Sequence, residues 1–444
     1  MWVRQLFNRW FMRTPKRDAY TVFLILSFTW SFAFSLITTV NMVYQASVAG
    51  LSPLQLVLVG TSLEVTAFLL EVPTGVVADT YSRRLSVIIG YLLIGIGFLI
   101  EGLFPLFGAI LLNQLIWGAG VTFLSGAQDA WLVDEVGNER SARAFLRASQ
   151  MGNLGGLIGI IASTGIAAAT QLAVPIVIGA LVLIGLAGYL AIVMPETGFS
   201  PAPKHEREGA VTHMVKTLRG GVKLVRGRPL LLVIFGVIFF GGLYSEGFDR
   251  LWTPHLLYEV EMPNALEPVI WFGVLRGITM IAAIGMAEFV SRRVKSESSA
   301  HVLRAITLSD GGLILSLLVF ALSQDFWLAA VMFVVSQTLR GALTPIFNAW
   351  SNRYIDSDVR ATTLSMMSQM NAIGQIGGGP AIGLIAERFT VRAALVISTL
   401  LLAPVLPLYG WAGRLAARLH PQPETEAETT APTPQNGIIE PAEA

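Results

Sequence analysis

Apolar residues fall along this chain in runs of about twenty or more, each able to cross roughly 30 Å of hydrocarbon as a helix. Short polar turns separate them. About twelve such spans are predicted, near residues 20–44, 53–78, 85–104, 108–133, 145–170, 173–194, 229–254, 267–290, 302–323, 325–351, 361–386 and 391–411. One polar interruption is longer than the others: residues 195–228 carry Pro195, Pro201, Pro203 and seven Lys or Arg. It divides the spans into two groups of six. The pattern predicts an all-α membrane protein made of two six-helix bundles, 20–194 and 229–412, with a cytoplasmic linker at 195–228. Residues 413–444 are rich in Pro, Glu, Thr and Ala, too polar to pack, so a disordered tail is expected.

Composition points the same way. Charged residues make up 13% of the 444 and hydrophobic ones 54%, with a mean hydropathy of +0.64, outside the range of ordinary soluble domains. The net charge of +1 hides a segregation. Arg83, Arg84, Arg140, Arg143, the linker cations, Arg292, Arg293, Lys295, Arg353 and Arg360 all fall in even-numbered connections, while the odd ones hold almost none besides Arg388 and Arg392. Because Lys and Arg stay on the cytoplasmic side, both termini are expected in the cytoplasm and the spans in the cell (inner) membrane. In residues 1–19, Arg4, Arg9, Arg13, Lys16 and Arg17 interleave with Trp2, Leu6, Trp10 and Phe11. This fits a helix lying on an anionic membrane face or a basic leader that orients the first span. No small-residue cleavage signal follows the first apolar run, so a retained helix is expected.

There is no cysteine, and the five histidines lie in loops or at helix edges without metal-ligand spacing. No metal or cofactor is therefore expected, nor any nucleic-acid partner. A Walker-type phosphate loop is absent, and no nucleophile and base or metal cluster lies at membrane depth, which argues against an enzyme.

The stretch between the second and third spans carries the most specific motif. Gly75, Asp79, Arg83 and Arg84 stand at the spacing Gly-x-x-x-Asp-x-x-x-Arg-Arg, which resembles the loop between helices 2 and 3 of the major facilitator superfamily. Thr80 and Ser82 depart from that family's pattern, where a basic residue and a glycine are usual. Met194-Pro195-Glu196-Thr197 is similar to a segment often found after the family's helix 6. An internal repeat supports two related halves: Asp79 to Arg84 is echoed by Glu288 to Arg293, and Ala130-Trp131 with Ser149-Gln150-Met151 by Ala349-Trp350 with Ser368-Gln369-Met370.

The resemblance implies a major facilitator fold, most like the bacterial drug-efflux members, in which helices 1, 4, 7 and 10 line a central cavity. It makes Trp30, Phe34, Gln114, Trp117, Gln337 and Arg340 candidate cavity residues, an aromatic and amide surface suited to an amphipathic solute; the alternative for each is ordinary helix packing. It also implies a latch in which Asp79 caps the inner end of helix 11, which begins near Arg360, while Arg83 pairs with Asp134. Gln114 stands where efflux members commonly carry an arginine. Helix 5 has Gly152, Gly155, Gly156 and Gly159, the close-packing surface of a bundle interface, but lacks the antiporter Gly-Pro.

Ionisable groups at membrane depth are costly and face a cavity or a partner. Glu64, Glu71, Asp129, Glu246, Asp249, Arg250, Arg276, Asp310 and Arg340 are such groups. Glu71 and Asp129, at similar depth on neighbouring helices, lead as proton-coupling carboxylates, with Glu64 and Glu246 next; a structural ion pair is the competing account of each. The leading expectation is a monomeric, proton-coupled exporter of amphipathic small molecules. An uptake symporter or uniporter for a metabolite is the alternative, and export is favoured because the cavity looks sparse in charge.

Overall fold

The computed structural model describes residues 18–201, 227–293, 299–356 and 359–419. The basic N-terminal segment, most of the linker and most of the expected tail lie outside them. Among the described residues the chain forms twelve helical segments that match the expected spans in order. These are α1 (Ala19–Val43, with a π-helical end at Tyr44–Val48), α2 (Pro53–Thr80), α3 (Arg83–Leu103), α4 (Phe107–Leu124 and Ala127–Val136), α5 (Asn138–Ala169) and α6 (Ala173–Val193). Then follow α7 (Pro229–Tyr258), α8 (Pro268–Arg293), α9 (Ser299–Leu322), α10 (Phe326–Ser351), α11 (Arg360–Arg388) and α12 (Val391–Leu402 and Val405–Leu419). No strand forms among the described residues, only an isolated bridge between Glu261 and Asp325.

Small polar residues start several of these helices by accepting an otherwise unpaired N–H of the first turn. Asp18 caps α1, Ser82 caps α3, Asp325 caps α10, and Ser52 with Gln55 forms a capping box ahead of Pro53 on α2. Two spans are broken where the sequence breaks them. Gly126 takes φ +70 after Ser125 and splits α4, and Pro404, which cannot continue a helix, lies in the break of α12.

The two halves pack alike. α1 lies along α5 as α7 lies along α11, and α3 packs on α4 and α6 as α9 packs on α10 and α12. Each half has its own apolar core. The repeated Ala-Trp pairs explain part of this, since Trp131 and Trp350 are both fully buried. Between halves, α2 packs on α11 and α7, and α5 on α8. The helix 5 glycines serve the first half more than this interface: a Cβ at Gly155 or Gly159 would press on the α1 backbone at Phe28 or Phe32, and only Gly156 faces α8, at Met280.

Among the described residues eleven helices are long and apolar enough to cross a membrane, and α11 is not one of them. Its polar and glycine content, Gln369, Asn371, Gln375 and Gly377 to Gly379, is tolerated because α7 and α2 cover it. Where α2 crosses it, a Cβ at Gly379 would lie 2.7 Å from Thr61 Oγ1. That crossing lies toward the end of the molecule opposite Arg83 and Arg84. At the Arg83 end no described atom lies within 4 Å of where a Cβ on Gly75 would sit, and the Asp79 side chain is 63% exposed.

Candidate solute cavity between the two bundles

A cavity of about 530 Å³ lies where the halves face each other, with walls from α1, α4, α7 and α10 and further side chains from α2, α3, α5, α8 and α11. One wall is aromatic. Trp30 and Phe34, one turn apart on α1, stack with ring centroids 4.8 Å apart, and Phe34 meets Trp117 of α4 at 5.9 Å. Phe98 closes on Trp117 at 4.9 Å. Across the cavity Trp252 of α7 stacks on Phe333 of α10 at 4.3 Å.

The other wall is charged, which corrects the expectation of a cavity sparse in charge. Glu64, Glu246, Asp249, Arg250 and Arg276 all line it. Glu246 and Arg250 are four residues apart on α7, so they share a face, and Arg250 Nε donates to Glu246 Oε1 at 3.0 Å. Arg340 of α10 grips Asp249 with two hydrogen bonds, 2.5 and 2.8 Å, and lies over the Tyr244 ring at 5.6 Å. Arg276 of α8 donates to Thr38 Oγ1 of α1 at 2.8 Å. The α7 residues had looked close to a span end because the apolar run fades near 254. α7 in fact continues to Tyr258, with Trp252 and Leu256 buried beyond them, so the charges fall inside the bundle.

A second cavity of about 390 Å³ opens within the second half, between α7, α9, α10, α11 and α12. It shares Asp249 and Gln375 with the first, so the Asp249–Arg340 pair stands as a partition between them. Buried Asp310 accepts from Tyr409 Oη at 2.6 Å in its wall.

Of the expected cavity residues, Phe34, Trp117 and Gln337 line the first cavity and Arg340 the second. Trp30 backs Phe34. Gln114 is fully buried, with neither side-chain polar atom paired. Glu64 and Glu246 line the first cavity; Glu71 and Asp129 are not among the lining residues of either. Asp129 is exposed, in the first turn after the α4 break, and Glu71 is half-buried on α2.

At the α2–α3 turn, Arg83 pairs with Asp134 and donates to Ala130 O at 3.0 Å. Arg84 donates to Ala191 O at 2.6 Å, and its backbone N–H to Glu196 at 2.9 Å. Glu196 also accepts from Ser82 Oγ, so the Pro-Glu-Thr segment ties the end of α6 to the start of α3. Asp79 lies 3.8 Å from Arg83, and Arg360 is exposed at the first residue of α11. The matching turn after α8 runs out of the described residues.

One cluster escaped the sequence reading. Glu101 of α3 is fully buried and accepts from the side-chain amides of Asn41 and Gln45 at 2.7 Å each and from Asn113. Tyr44 Oη adds a bond to its backbone oxygen at 2.8 Å. Two amides four residues apart inside an apolar span, Asn41 and Gln45, were the available signal.

Two pseudo-symmetric bundles around a central cavity define the class as a membrane transporter. The Major Facilitator Superfamily model matches residues 19–376, and the chain belongs to that family. An uncharacterized MFS-type transporter, YxaM of Bacillus subtilis (strain 168), is 22% identical over 364 residues, covering 80% of this chain and 86% of that one. Among solved structures the chain is similar to the nucleoside transporter NupG (TM-score 0.69, 15% identity, 90% of this chain and 100% of that one). It is similar also to a bacterial homolog of the human lysosomal transporter Spinster (TM-score 0.70, 14% identity, 92% and 100%). A third is a peptide transporter POT in complex with sulfate (TM-score 0.68, 15% identity, 91% and 97%). At these identities the likeness is one of fold, and the family's function is transport, not catalysis.

Proposed function

We propose that this chain is a proton-coupled secondary transporter that exports amphipathic small molecules by alternating access of the central cavity. The observation that carries the reading is Glu64: a carboxylate facing the same cavity as the aromatic wall, with no hydrogen bond or ion pair among the described residues. A proton and a cationic solute group compete for such a carboxylate, and that competition is what exchanges one for the other. The positive-inside rule makes the Arg83 end cytoplasmic, and the open space beside Gly75 among the described residues lies on that side, from which an exporter loads. The protein would act as a monomer in the inner membrane, without a cofactor.

The charged wall favours a second reading, uptake of a polar metabolite with protons, because the earlier preference for export rested on a cavity poor in charge. Purified protein in liposomes with an imposed pH gradient, loaded with a chemically diverse solute panel, separates the two. Solute leaving the cytoplasm-equivalent side against entering protons supports export, movement of both in one direction supports uptake, and transport indifferent to the gradient overturns proton coupling.

A further inference from the structure

Six charged side chains stand around the central cavity and its partition, and four of them neutralise one another: Arg250 with Glu246, and Arg340 with Asp249. The two left over have opposite signs. Arg276 has the Thr38 hydroxyl as its hydrogen-bond acceptor and no carboxylate within ion-pair distance among the described residues. A guanidinium has five N–H donors, so most of this one is available. One turn along α8 the Thr279 hydroxyl is buried without a partner, and Trp117 Nε1 is a further buried donor without an acceptor. Both residues line the same cavity.

Glu64 is the mirror case. Glu246 and Asp249 repel its charge, and Arg250, which attracts it, is already held by Glu246. A full charge in a low-dielectric cavity is costly until an opposite charge reaches it. One lone cation and one lone anion therefore form a complementary pair of subsites, with an aromatic wall beside them.

We infer that the solute is a zwitterion. Its carboxylate seats on Arg276, its ammonium group seats on Glu64, and its apolar portion lies against Phe34, Trp252 and Phe333. A cavity of about 530 Å³ has the size of a small organic ligand site, which suits an aromatic amino-acid derivative or a short peptide. The inference rests on the transport reading and narrows its substrate class.

Binding to the purified full-length chain, followed by thermal shift, and transport in liposomes test it with a defined set of probes. These are the free amino acids and aromatic dipeptides, the N-acetylated and C-amidated forms of the same dipeptides, uridine, and tetraphenylphosphonium. Free zwitterions should bind at least tenfold more tightly than either singly charged form. Arg276→Gln should erase the preference for the free over the amidated form, Glu64→Gln the preference for the free over the acetylated form, and Arg276→Lys should retain most of the first. Equal binding of free and blocked dipeptides, or transport of uridine or tetraphenylphosphonium alone, overturns the zwitterion while leaving transport intact. Zwitterion binding with the variant pattern but no movement across the bilayer keeps the inference and overturns the transport reading.

Discussion

Glu387, in the last turn of α11, accepts a hydrogen bond from the backbone N–H of Leu54 in the first turn of α2, at 3.3 Å. This joins the two bundles at the end farthest from Arg83. The first N–H groups of a helix have no partner within it and carry the positive end of its dipole, so a carboxylate from the other bundle is a natural clasp. Tyr258 Oη adds a second link at this end, donating to Ala46 O at 3.0 Å. Such a contact contributes about 0.3–1 kcal/mol when exposed, a roughly two- to fivefold change in a two-state population. Glu387→Gln is therefore expected to raise the fraction open at that end by about this factor. A single cysteine at Thr61, inside the α2–α11 crossing of this cysteine-free chain, would report it through faster maleimide labelling; an unchanged rate would show that the clasp does not hold the halves together.

Asp79 is its counterpart at the other end of α2. It is exposed, with Arg83 at 3.8 Å, while Arg83 is held by Asp134 and the Ala130 carbonyl. The Arg83–Asp134 pair thus belongs to the first bundle, and Asp79 is the member of the motif that would meet the start of α11 if the bundles closed there. Asp79→Asn is expected to shift the resting population toward the arrangement open at this end, by roughly two- to fivefold on the same scale, and to slow turnover with little change in protein level. Labelling of single cysteines at the Arg83-side ends of α4 and α11 checks it, and equal rates in variant and parent leave the motif only a topological role.

What could be read in advance was whatever has a one-dimensional signature. Span lengths, capping residues such as Ser52 and Asp325, and the repeated Ala-Trp pairs are local patterns, and the helices form where those patterns lie. The charged cavity wall was not legible, because the roles of Asp249 and Arg340, ninety-one residues apart, depend on how α7 faces α10. The Glu101 cluster was hidden for a similar reason: its partners lie sixty, fifty-six and twelve residues away. Glu387 fell one residue beyond the expected end of its span, where an acidic residue looks like ordinary surface.

The Glu101 cluster makes a stability prediction. Removing the carboxylate would leave the buried Asn41 and Asn113 amides without acceptors, Gln45 keeping only Asn41 Oδ1, and each unsatisfied buried group costs about 1–3 kcal/mol. Glu101→Ala is expected to lose about 2 kcal/mol or more. Glu101→Gln keeps one acceptor, and rotation of the Asn113 amide would present its now unpaired Oδ1 to the new donor, so a loss within about 1 kcal/mol is expected. Thermal unfolding in detergent distinguishes them. A Gln variant as damaged as the Ala variant would mean that the charge itself, and not the hydrogen-bond hub, is required.

For the proposed proton coupling, the candidate carboxylates can be ranked by where they stand. Glu64 and Glu246 line the central cavity, where solute and proton can meet, but Glu246 is committed to Arg250. Glu71 lies seven residues farther along α2, about 10 Å nearer the Arg83 end at 1.5 Å per residue, and Asp129 is exposed just past the break in α4. These two sit where a proton travelling between the cavity and the Arg83 side would pass. Glu64→Gln is accordingly expected to abolish accumulation driven by a pH gradient while downhill movement of solute persists. Glu71→Gln and Asp129→Asn are each expected to slow gradient-driven transport by about a hundredfold, the low end of what a positioned proton-transfer group contributes, with solute affinity unchanged because neither lines the cavity. Gradient-driven transport and equilibrium binding measured on the same liposomes decide the ranking. If Glu71→Gln and Asp129→Asn both accumulate solute at the parental rate, neither is on the proton path, and coupling rests on Glu64 with Glu246. If Glu64→Gln accumulates solute normally, the exchange of proton for solute at that carboxylate is wrong.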